Sequence, residues 1–308
     1  MIKNLYFIGN GFDLHHGIQS RYTDYAYWLI DNDLSLFYKI ESTFGWPNDD
    51  WWGDFENNIG ELSVEDYTRE ICREYAPDYA SDDFHERDRF AGKFEIERQL
   101  SELFNSIRKS FHSWISKLAP ANDSKKIMIN TKDSFFVNFN YTPTLEKLYD
   151  IDDKSILYIH GKANKDKELI LGHGKTIEQF NKEIKFTAYQ IDEDQDGDDF
   201  YDMALDTTIE ILGKQRKRVD DIISNNERVF ANFSNIKDFY IYGLSFSSID
   251  IPYIGRIING FVGEYINFHI SYYSNEDLQK AKSCIKDMGI NNSRVEFVKL
   301  DDLLIKVL

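Results

Sequence analysis

Short apolar runs that end in glycine or asparagine mark the start of the chain and return after Pro120. The first, KNLYFIG at 3–9, predicts a buried strand that stops at Gly9. Between the later runs lie segments with apolar residues at helical spacing. The predicted strands are 3–9, 126–130, 134–140, 155–160, 168–171, 238–243, 266–273 and 295–300, and the predicted helices that alternate with them are 143–149, 209–230, 253–262 and 275–288.

Strands that alternate with helices favour an α/β protein with a mainly parallel sheet and helices on both faces. The segment 22–118 differs, because its apolar residues keep helical spacing throughout, with breaks near 45–50 and at Pro77. One of its helices is predicted to run over about 84–117. We therefore predict one sheet domain formed by 1–20 and 121–308. It is interrupted after its first strand by a helical insertion, 21–120, suited to a lid or to oligomerisation.

Composition narrows the class of protein. The chain has 308 residues, 42% of them hydrophobic, and 36 basic against 53 acidic residues give a net charge of −17. This balance disfavours binding to nucleic-acid phosphates and to anionic membranes. Two cysteines are too few for a disulfide framework or a four-thiolate zinc site. No apolar run approaches the ~20 residues of a membrane span, and 1–9 is too short for a signal peptide. We expect a cytoplasmic protein with no metal.

Two glycines follow the first predicted strand directly. Gly9, Asn10, Gly11, Phe12 and Asp13 come after the apolar run. Glycines at such a place permit a tight turn in which backbone N–H groups approach a phosphate. The full dinucleotide fingerprint is not met, because Leu occupies position 14. The motif therefore indicates either a nucleotide-binding loop or a plain strand–helix turn.

Polar side chains also collect where two later strands end. Asn138 and Asn140 share one face of a strand by period-2 alternation, and asparagine is a poor strand residue. His160 and Gly161 close the next apolar strand. Ligands of open α/β sheets bind at this edge, and histidine is the usual base near neutral pH. Capping of the following helix is the alternative for the asparagines, and a structural histidine is the alternative for His160.

Three later features are less specific. His173, between two glycines, is predicted to line the same cleft or to sit in a tight turn. Gly243 and Ser245 follow an apolar strand and suit phosphate or ribose contacts, while Asp250 is predicted either to join them or to cap the next helix. GLSFS is not a nucleophile elbow, since serine replaces its second glycine. The acidic run 192–202 begins like a calcium loop but has Met203 at the twelfth position, so we interpret it as a solvated loop.

The motifs IGNGFDL, FNYTPTLE, IHG, GHG and GLSFSSID, in this order between Ile8 and Asp250, resemble the bacteriophage abortive infection AbiH family. That family is similar in turn to sirtuin-like proteins, since Gly9, Gly11, Gly17 and Ile18 keep the spacing of the sirtuin glycine motif. The sequence departs from the sirtuin-like pattern at three positions. Asp13 replaces a serine, Gln19 a proline, and Thr142 the acid of N-Y-D, while the four-cysteine zinc ribbon of sirtuin deacylases is absent from the sequence.

The resemblance implies a Rossmann-like sheet with an NAD pocket, in which Asn140 and His160 hold the catalytic positions. NAD would be the substrate and would be hydrolysed to nicotinamide and ADP-ribose. The remaining residues of the predicted nucleotide-binding set are Gly9, Asn10, Gly11, Phe12, Asp13, Asn138, Tyr141, His173, Gly243, Ser245 and Asp250. Control by a homo-oligomer or a separate sensor subunit is expected. Two alternatives remain: a nucleotide-binding sensor that does not cleave its ligand, and a metal-dependent nuclease or phosphohydrolase using Asp13 and Asp250.

Overall fold

The computed structural model describes residues 2–163, 169–188, 199–260 and 266–305. The chain forms two compact units. The sheet unit comprises Met1–Asp24, His112–Ile170 and Arg218–Leu308, and the helical unit comprises Tyr25–Phe111 and Leu171–Lys217. The segment 171–217, which the sequence analysis assigned to the sheet domain, thus belongs to the helical unit. Among the described residues, none of the helices combines the length and apolar character needed to cross a bilayer.

A six-stranded, entirely parallel sheet forms the centre of the sheet unit, which confirms the predicted α/β, Rossmann-like class. Its order is β3-β2-β1-β4-β5-β6. In register, Phe7 of β1 pairs with Val137 of β2 and with Ile241 of β4. The strands are β1 (Asn4–Ile8), β2 (Ser134–Asn138), β3 (Ile156–Tyr158), β4 (Asp238–Tyr242), β5 (Asn267–Ser271) and β6 (Val295–Val298).

The helices of the described residues divide between the two units. Those within the sheet unit are α1 (Asn10–His15), α8 (Thr144–Tyr149), α11 (Val219–Asn225), α12 (Glu227–Phe230), α13 (Ile251–Asn259) and α14 (Asn275–Asp287). Those that lie wholly or mostly in the helical unit are α2 (Tyr22–Asn32), α3 (Leu34–Thr43), α4 (Asp49–Gly53), α5 (Phe55–Asn58), α6 (Val64–Glu74), α7 (Ala91–Ser116), α9 (Ile177–Ala188) and α10 (Asp199–Lys214).

Helices pack on both faces of the sheet because side chains alternate along each strand. Leu5 and Phe7 of β1 join a core with residues of α11 to α14, including Tyr253 and Ile285. Tyr6 and Ile8 of the same strand face the other way, into a second core. That core includes Phe12 of α1 and Leu145 and Leu148 of α8. β1 is therefore buried along its whole length, as its apolar sequence predicts.

Several predicted elements differ from the structure. The predicted strand 126–130 is reduced to one antiparallel bridge between Ile127 and Leu304, and 169–171 is not a strand. Glu168 and the part of the acidic run at 192–198 lie outside the described residues. The long helix begins at Ala91, after a short 3-10 turn at Glu86–Phe90, rather than at 84.

The predicted helix 209–230 is divided into α10, α11 and α12. The break between α10 and α11 lies where residues 216 and 217 pair with a distant segment. The backbone N–H of Lys217 donates to the carbonyl of His173 (2.7 Å), and His173 forms a parallel bridge with Arg216. Gly172 allows this close approach, since a Cβ there would overlap the carbonyl of Gln215. The break between α10 and α11 therefore coincides with a tertiary contact inside the helical unit. No local residue pattern indicates this contact.

Candidate functional site at the carboxyl edge of the sheet

The strand order reverses direction between β1 and β4. From β1 the chain order runs outward to β2 and β3 on one side and to β4, β5 and β6 on the other. A crevice opens outside the carboxyl ends of the strands at such a switch point, and nucleotides bind there in doubly wound folds. Gly9 follows β1 and Gly243 follows β4, so both glycine motifs lie at this point.

Three glycines bring the backbones of the two turns into contact. A Cβ on Gly9 would lie 2.5 Å from the Gly243 carbonyl oxygen, and one on Gly11 would lie 2.8 Å from the Gly243 Cα. Gly243 has φ +70°, and a Cβ there would overlap the Phe12 nitrogen. Only glycine fits these positions, so steric demand alone accounts for all three.

The N–H groups of this turn have partners inside the protein. Gly9 donates to the Tyr242 carbonyl (2.9 Å), Gly11 to the Gly243 carbonyl (2.8 Å) and Phe12 to the Gly9 carbonyl (2.9 Å). The sequence analysis expected N–H groups around Gly9–Asp13 to hold a pyrophosphate. With these three engaged, a phosphate at the switch point would have to meet other donors.

Asn140 links the end of β2 to the glycine turn. Its side-chain Nδ2 donates to the Gly9 carbonyl (3.0 Å), and the side chain is buried. Asn138 has a different function: its Oδ1 accepts the Asn140 backbone N–H (3.0 Å), and its Nδ2 contacts the Thr142 carbonyl (3.4 Å). Asn138 therefore shapes the loop, while Asn140 reaches across to the neighbouring strand end.

Asp13 on α1 is 1% exposed and lies against the same loop. Thr142 donates to its Oδ2 (2.5 Å) and Thr144 to its Oδ1 (2.8 Å). Burial raises the pKa of Asp13 from its ordinary value of 3.8 to about 6, against the opposing effect of hydrogen bonds from Thr142, Thr144 and Asn140. Asp13, which follows the glycine turn, and Thr142, which follows Asn140, thus lie in contact.

His160 lies in the loop after β3, next to the loop that carries Asn140. The register pairs Asn138 with Tyr158, so positions 140 and 160 follow neighbouring strands at the same distance. His160 is 4% exposed, and its Nε2 lies 3.3 Å from the Tyr253 hydroxyl of α13. Its ring packs edge-on against Phe139, at 5.5 Å between centroids. His160 therefore contacts the Tyr253 hydroxyl of α13, whereas the Asn140 side chain contacts the Gly9 carbonyl.

The other predicted residues of the sheet unit have structural contacts. Asn10 exchanges two hydrogen bonds with Ser20: its Nδ2 donates to the Ser20 carbonyl (2.9 Å), and the Ser20 hydroxyl donates to its Oδ1 (2.6 Å). Phe12 is fully buried and packs on His16 at 4.4 Å between centroids. The Tyr141 hydroxyl donates to the Ile170 carbonyl (2.9 Å).

Ser245 is exposed at the same carboxyl edge, beyond β4. Its hydroxyl donates to Oδ2 of Asp250, the residue that precedes α13 (2.8 Å). Gly243 is held by the Ser271 hydroxyl of β5, which accepts its N–H (2.8 Å). The hydroxyl-rich turn that the sequence predicted is therefore present, and Ser245 and Ser248 are its exposed members.

His173 lies in the helical unit and is fully buried. Its Nδ1 accepts the backbone N–H of Lys175 (3.0 Å), which leaves the Nε2–H to donate to the Leu212 carbonyl (2.9 Å). Burial is the main cause that lowers the pKa of His173 below its ordinary range. With both ring nitrogens engaged, the residue has the environment of a structural histidine.

Sequence reasoning missed three groups at this edge. Thr144 and Tyr253 are bound to Asp13 and His160 through long-range contacts. Glu146 of α8 accepts hydrogen bonds from Lys162 and from the Tyr158 hydroxyl. For Thr144 and Glu146, the run YTPTLE already drew attention to the loop, but it did not indicate their partners.

A cavity of about 590 Å³ lies elsewhere in the sheet unit, on the face that carries Tyr6. None of the predicted site residues lines it. Its lining includes a row of three rings from neighbouring strands, Tyr6, Tyr240 and His269, which stack at 4.2 and 4.5 Å between successive centroids. Glu296 continues the row by accepting a hydrogen bond from His269 (2.8 Å). Across the described ranges, no group of three or more His, Cys, Asp or Glu is placed to hold a metal ion.

Comparison with known proteins places the chain in a family. A family profile described as "Bacteriophage abortive infection AbiH" matches residues 5–272. No curated protein and no solved structure matches the chain significantly. The matched range extends from β1 through β5 and includes the glycine turn, both asparagines and His160. The chain therefore belongs to the bacteriophage abortive infection AbiH family.

Proposed function

We propose that this protein acts in bacteriophage abortive infection by hydrolysing NAD to nicotinamide and ADP-ribose. One observation carries the proposal: Asn140 and His160 follow neighbouring strands at the carboxyl edge, beside the glycine contact at the switch point. Doubly wound sheets bind dinucleotides at that place. Family membership supports the biological setting, and the resemblance to sirtuin-like proteins supports NAD as the substrate.

The proposed reaction uses two side chains at the ribose, those of His160 and Asn140. Water adds to the anomeric carbon of the ribose, and the bond to nicotinamide breaks with its electron pair going to the ring nitrogen, so nicotinamide leaves uncharged. His160 takes the proton that the water loses, a contribution worth roughly 10²–10⁴ in rate. Asn140 orients the ribose through its amide. Ser245, exposed at the same edge, would contact the adenosine side of the nucleotide.

Unregulated hydrolysis of NAD would kill the host, so the activity needs control. We assign that control to assembly of a homo-oligomer or to a separate sensor subunit. The helical unit is the candidate surface, since eight of the large aromatic or aliphatic side chains described in it are exposed: Tyr27, Ile30, Leu34, Tyr38, Trp46, Tyr79, Phe94 and Ile177.

The test follows nicotinamide release from NAD by the purified protein, with and without lysate from phage-infected cells. We expect release by the wild type and a loss of about 100-fold or more in His160→Gln, because a general base contributes at least that much. His269→Gln is the matched control, since His269 lies on β5 and binds Glu296 and Asp238. It should stay within about twofold of the wild type.

Failure of the wild type to release nicotinamide under every condition and in every oligomeric state would reject the hydrolase. The burial of His160 favours one second candidate, a sensor that binds NAD without cleaving it. A sensor would show saturable NAD binding by calorimetry, no nicotinamide, and unchanged affinity in His160→Gln.

A further inference from the structure

We propose that Tyr253 is a positioning residue that accepts a hydrogen bond from the Nε2–H of His160 and so leaves Nδ1 as the nitrogen that takes the proton in the reaction. This inference rests on the proposed function for the role of His160 as a base. Tyr253 lies on α13 and is 0% exposed, so it acts through His160 rather than on the nucleotide.

The contact between the two side chains is direct. Nε2 of His160 lies 3.3 Å from the Tyr253 hydroxyl, and both residues are buried. The centroids of the two rings are 5.9 Å apart, with an angle of 67° between the ring planes. Since the Tyr253 hydroxyl occupies the space next to Nε2, that nitrogen is engaged inside the protein. The transfer of a proton from the substrate side is therefore left to Nδ1.

The role of His160 as a base decides which of the two partners donates. A phenol hydroxyl can donate or accept, and a neutral imidazole carries one N–H and one lone pair. If Tyr253 donated, the lone pair on Nε2 would be used and Nδ1 would hold the proton, so the ring would have no lone pair for the substrate. A basic His160 therefore requires Nε2–H as the donor and the Tyr253 oxygen as the acceptor.

The same hydrogen bond selects the orientation of the imidazole ring. His160 packs edge-on against Phe139, at 5.5 Å between centroids, and lies 6.4 Å from the Tyr141 ring. Half a turn about the Cβ–Cγ bond exchanges the ring nitrogens with carbons of nearly the same size, so contacts with aromatic rings accept both orientations. Nε2 meets the Tyr253 hydroxyl in one orientation alone. In the other, a carbon would take the place of Nδ1 and the base would be lost.

A second buried histidine of the sheet unit shows the opposite arrangement. Nε2 of His16 also contacts a tyrosine hydroxyl, that of Tyr149 (2.7 Å), but its Nδ1 lies 2.7 Å from the Phe12 carbonyl. A carbonyl only accepts, so Nδ1 of His16 holds the proton and Tyr149 donates to Nε2. The two histidine–tyrosine pairs share the same contact and are expected to hold opposite tautomers, which makes His16 and Tyr149 the matched control.

Ring ¹⁵N spectra test the tautomers without a need for activity. In protein with ¹⁵N-labelled histidine at about pH 8, where histidine is ordinarily neutral, we expect the proton of His160 on Nε2 and that of His16 on Nδ1. The signals are assigned by their absence in His160→Gln and His16→Gln. In Tyr253→Phe, the Nε2 proton of His160 should exchange faster with water and its signal should be lost. A proton on Nδ1 of His160, or an unchanged Nε2 proton signal in Tyr253→Phe, would overturn the proposal.

Nicotinamide release tests the positioning through kinetics. Tyr253→Phe keeps the ring and removes only the hydroxyl, so kcat should fall by about three- to tenfold, as for the loss of one hydrogen bond. KM for NAD should stay within about twofold, because the hydroxyl does not touch the substrate. Tyr149→Phe removes the hydroxyl from the other pair, and its kcat should stay within about twofold of the wild type.

The two measurements separate this inference from the proposed function. A proton on Nε2 of His160 that depends on the Tyr253 hydroxyl, in a protein that releases no nicotinamide, would reject the hydrolase and keep the orientation by Tyr253. Wild-type kcat in Tyr253→Phe, in an enzyme that releases nicotinamide, would reject the positioning alone.

Discussion

The two units of the molecule bury acids in opposite ways. In the helical unit, Glu56 binds Lys217 through both carboxylate oxygens, at 2.8 and 3.1 Å. The lysine side chain is 2% exposed and the glutamate 16%. In the sheet unit, Asp13 is more deeply buried than Glu56, at 1% exposed, yet the groups that act on its carboxylate are uncharged donors.

This difference separates an ion pair that stabilises the fold, Glu56 and Lys217, from a buried carboxylate, Asp13, that lowers the free energy of unfolding. An ion pair balances the charge of each partner inside the protein, and its removal exposes the imbalance. Asp13 has no such balance, so its pKa rises to about 6 and its ionised form lowers the free energy of unfolding. The comparison assigns Glu56 and Lys217 to stability, whereas the ionised Asp13 carboxylate opposes it.

The largest effect on the free energy of unfolding is expected from breaking the ion pair between Glu56 and Lys217. Glu56→Gln leaves the Lys217 ammonium buried without a counter-charge, which costs about 3–5 kcal/mol of unfolding free energy. Urea denaturation at neutral pH measures it. The control is Glu210→Gln, whose partner Lys214 lies 2.8 Å away with both side chains about two-thirds exposed (65% and 64%). That exposed pair should contribute about 0–1 kcal/mol. Equal losses in the two variants would contradict the distinction between a buried ion pair and an exposed one.

The second largest effect is expected from Asp13, which makes the free energy of unfolding depend on pH. Its pKa is 3.8 in the unfolded chain and about 6 in the folded protein, so between these values the folded state holds more protons. Stability therefore falls as pH rises through this window. Asp13→Asn lacks this loss, and its unfolding free energy should gain about 3 kcal/mol on the wild type between about pH 4 and pH 7.

Denaturant titrations of both proteins across that range measure the difference. A constant offset between them, without a slope, would show that Asp13 ionises in the folded protein as it does in water. The increase in Asp13→Asn is the reverse of the loss expected for Glu56→Gln, so the two measurements together test the comparison directly.

An effect of comparable size and opposite sign is expected from His16, three residues further along the chain than Asp13. Its Nδ1–H donates to the Phe12 carbonyl (2.7 Å), so Nε2 accepts from the Tyr149 hydroxyl (2.7 Å). Burial is the main cause that lowers the pKa of His16 from 6.5 to about 4. The unfolded state holds more protons between these values, so stability is present above about pH 6.5 and is lost as pH falls toward 4.

Because the windows of Asp13 and His16 overlap, their slopes oppose each other in the wild type. His16→Gln should expose the pH dependence that comes from Asp13, with stability decreasing by about 3 kcal/mol more than in the wild type as pH rises from about 4 to 7. The same denaturant titrations measure it. Parallel profiles for His16→Gln and the wild type would show that the imidazole does not titrate differently on folding.

Local sequence predicted the sheet well because each strand is a compact apolar run. Glycines directly follow β1 and β4, and for each of the six observed strands the predicted ends lie within two residues of the observed ones. The predictions at 126–130 and 168–171 have no counterpart among these strands. The same local view could not distinguish His160 from His173. Both precede glycine, yet one lies beside Tyr253 at the sheet edge and the other has both ring nitrogens bound in the helical unit.

Long-range contacts explain what the sequence could not predict of the site. Thr142 and Asp13 are 129 positions apart, and Lys217 and Glu56 are 161 apart. No periodicity or motif links residues at such separations. Asp13 was predicted as a nucleotide contact on the strength of its place after the glycines, and the hydroxyls that surround it became visible only in the folded structure.

The smallest effect is expected at Ser245, which lies exposed at the same edge as Asp13. Ser245→Ala removes one hydrogen bond to Asp250, so stability should change by less than about 1 kcal/mol and show no new pH dependence. If the proposed nucleotide site is correct, its Kd for NAD should rise by about three- to tenfold, since one hydrogen bond contributes about 0.5–1.5 kcal/mol. Calorimetry with NAD measures the affinity, and Ser247→Ala in the same turn is the control. An unchanged Kd in Ser245→Ala would separate this edge from the nucleotide and confine the site to the loops after β1, β2 and β3.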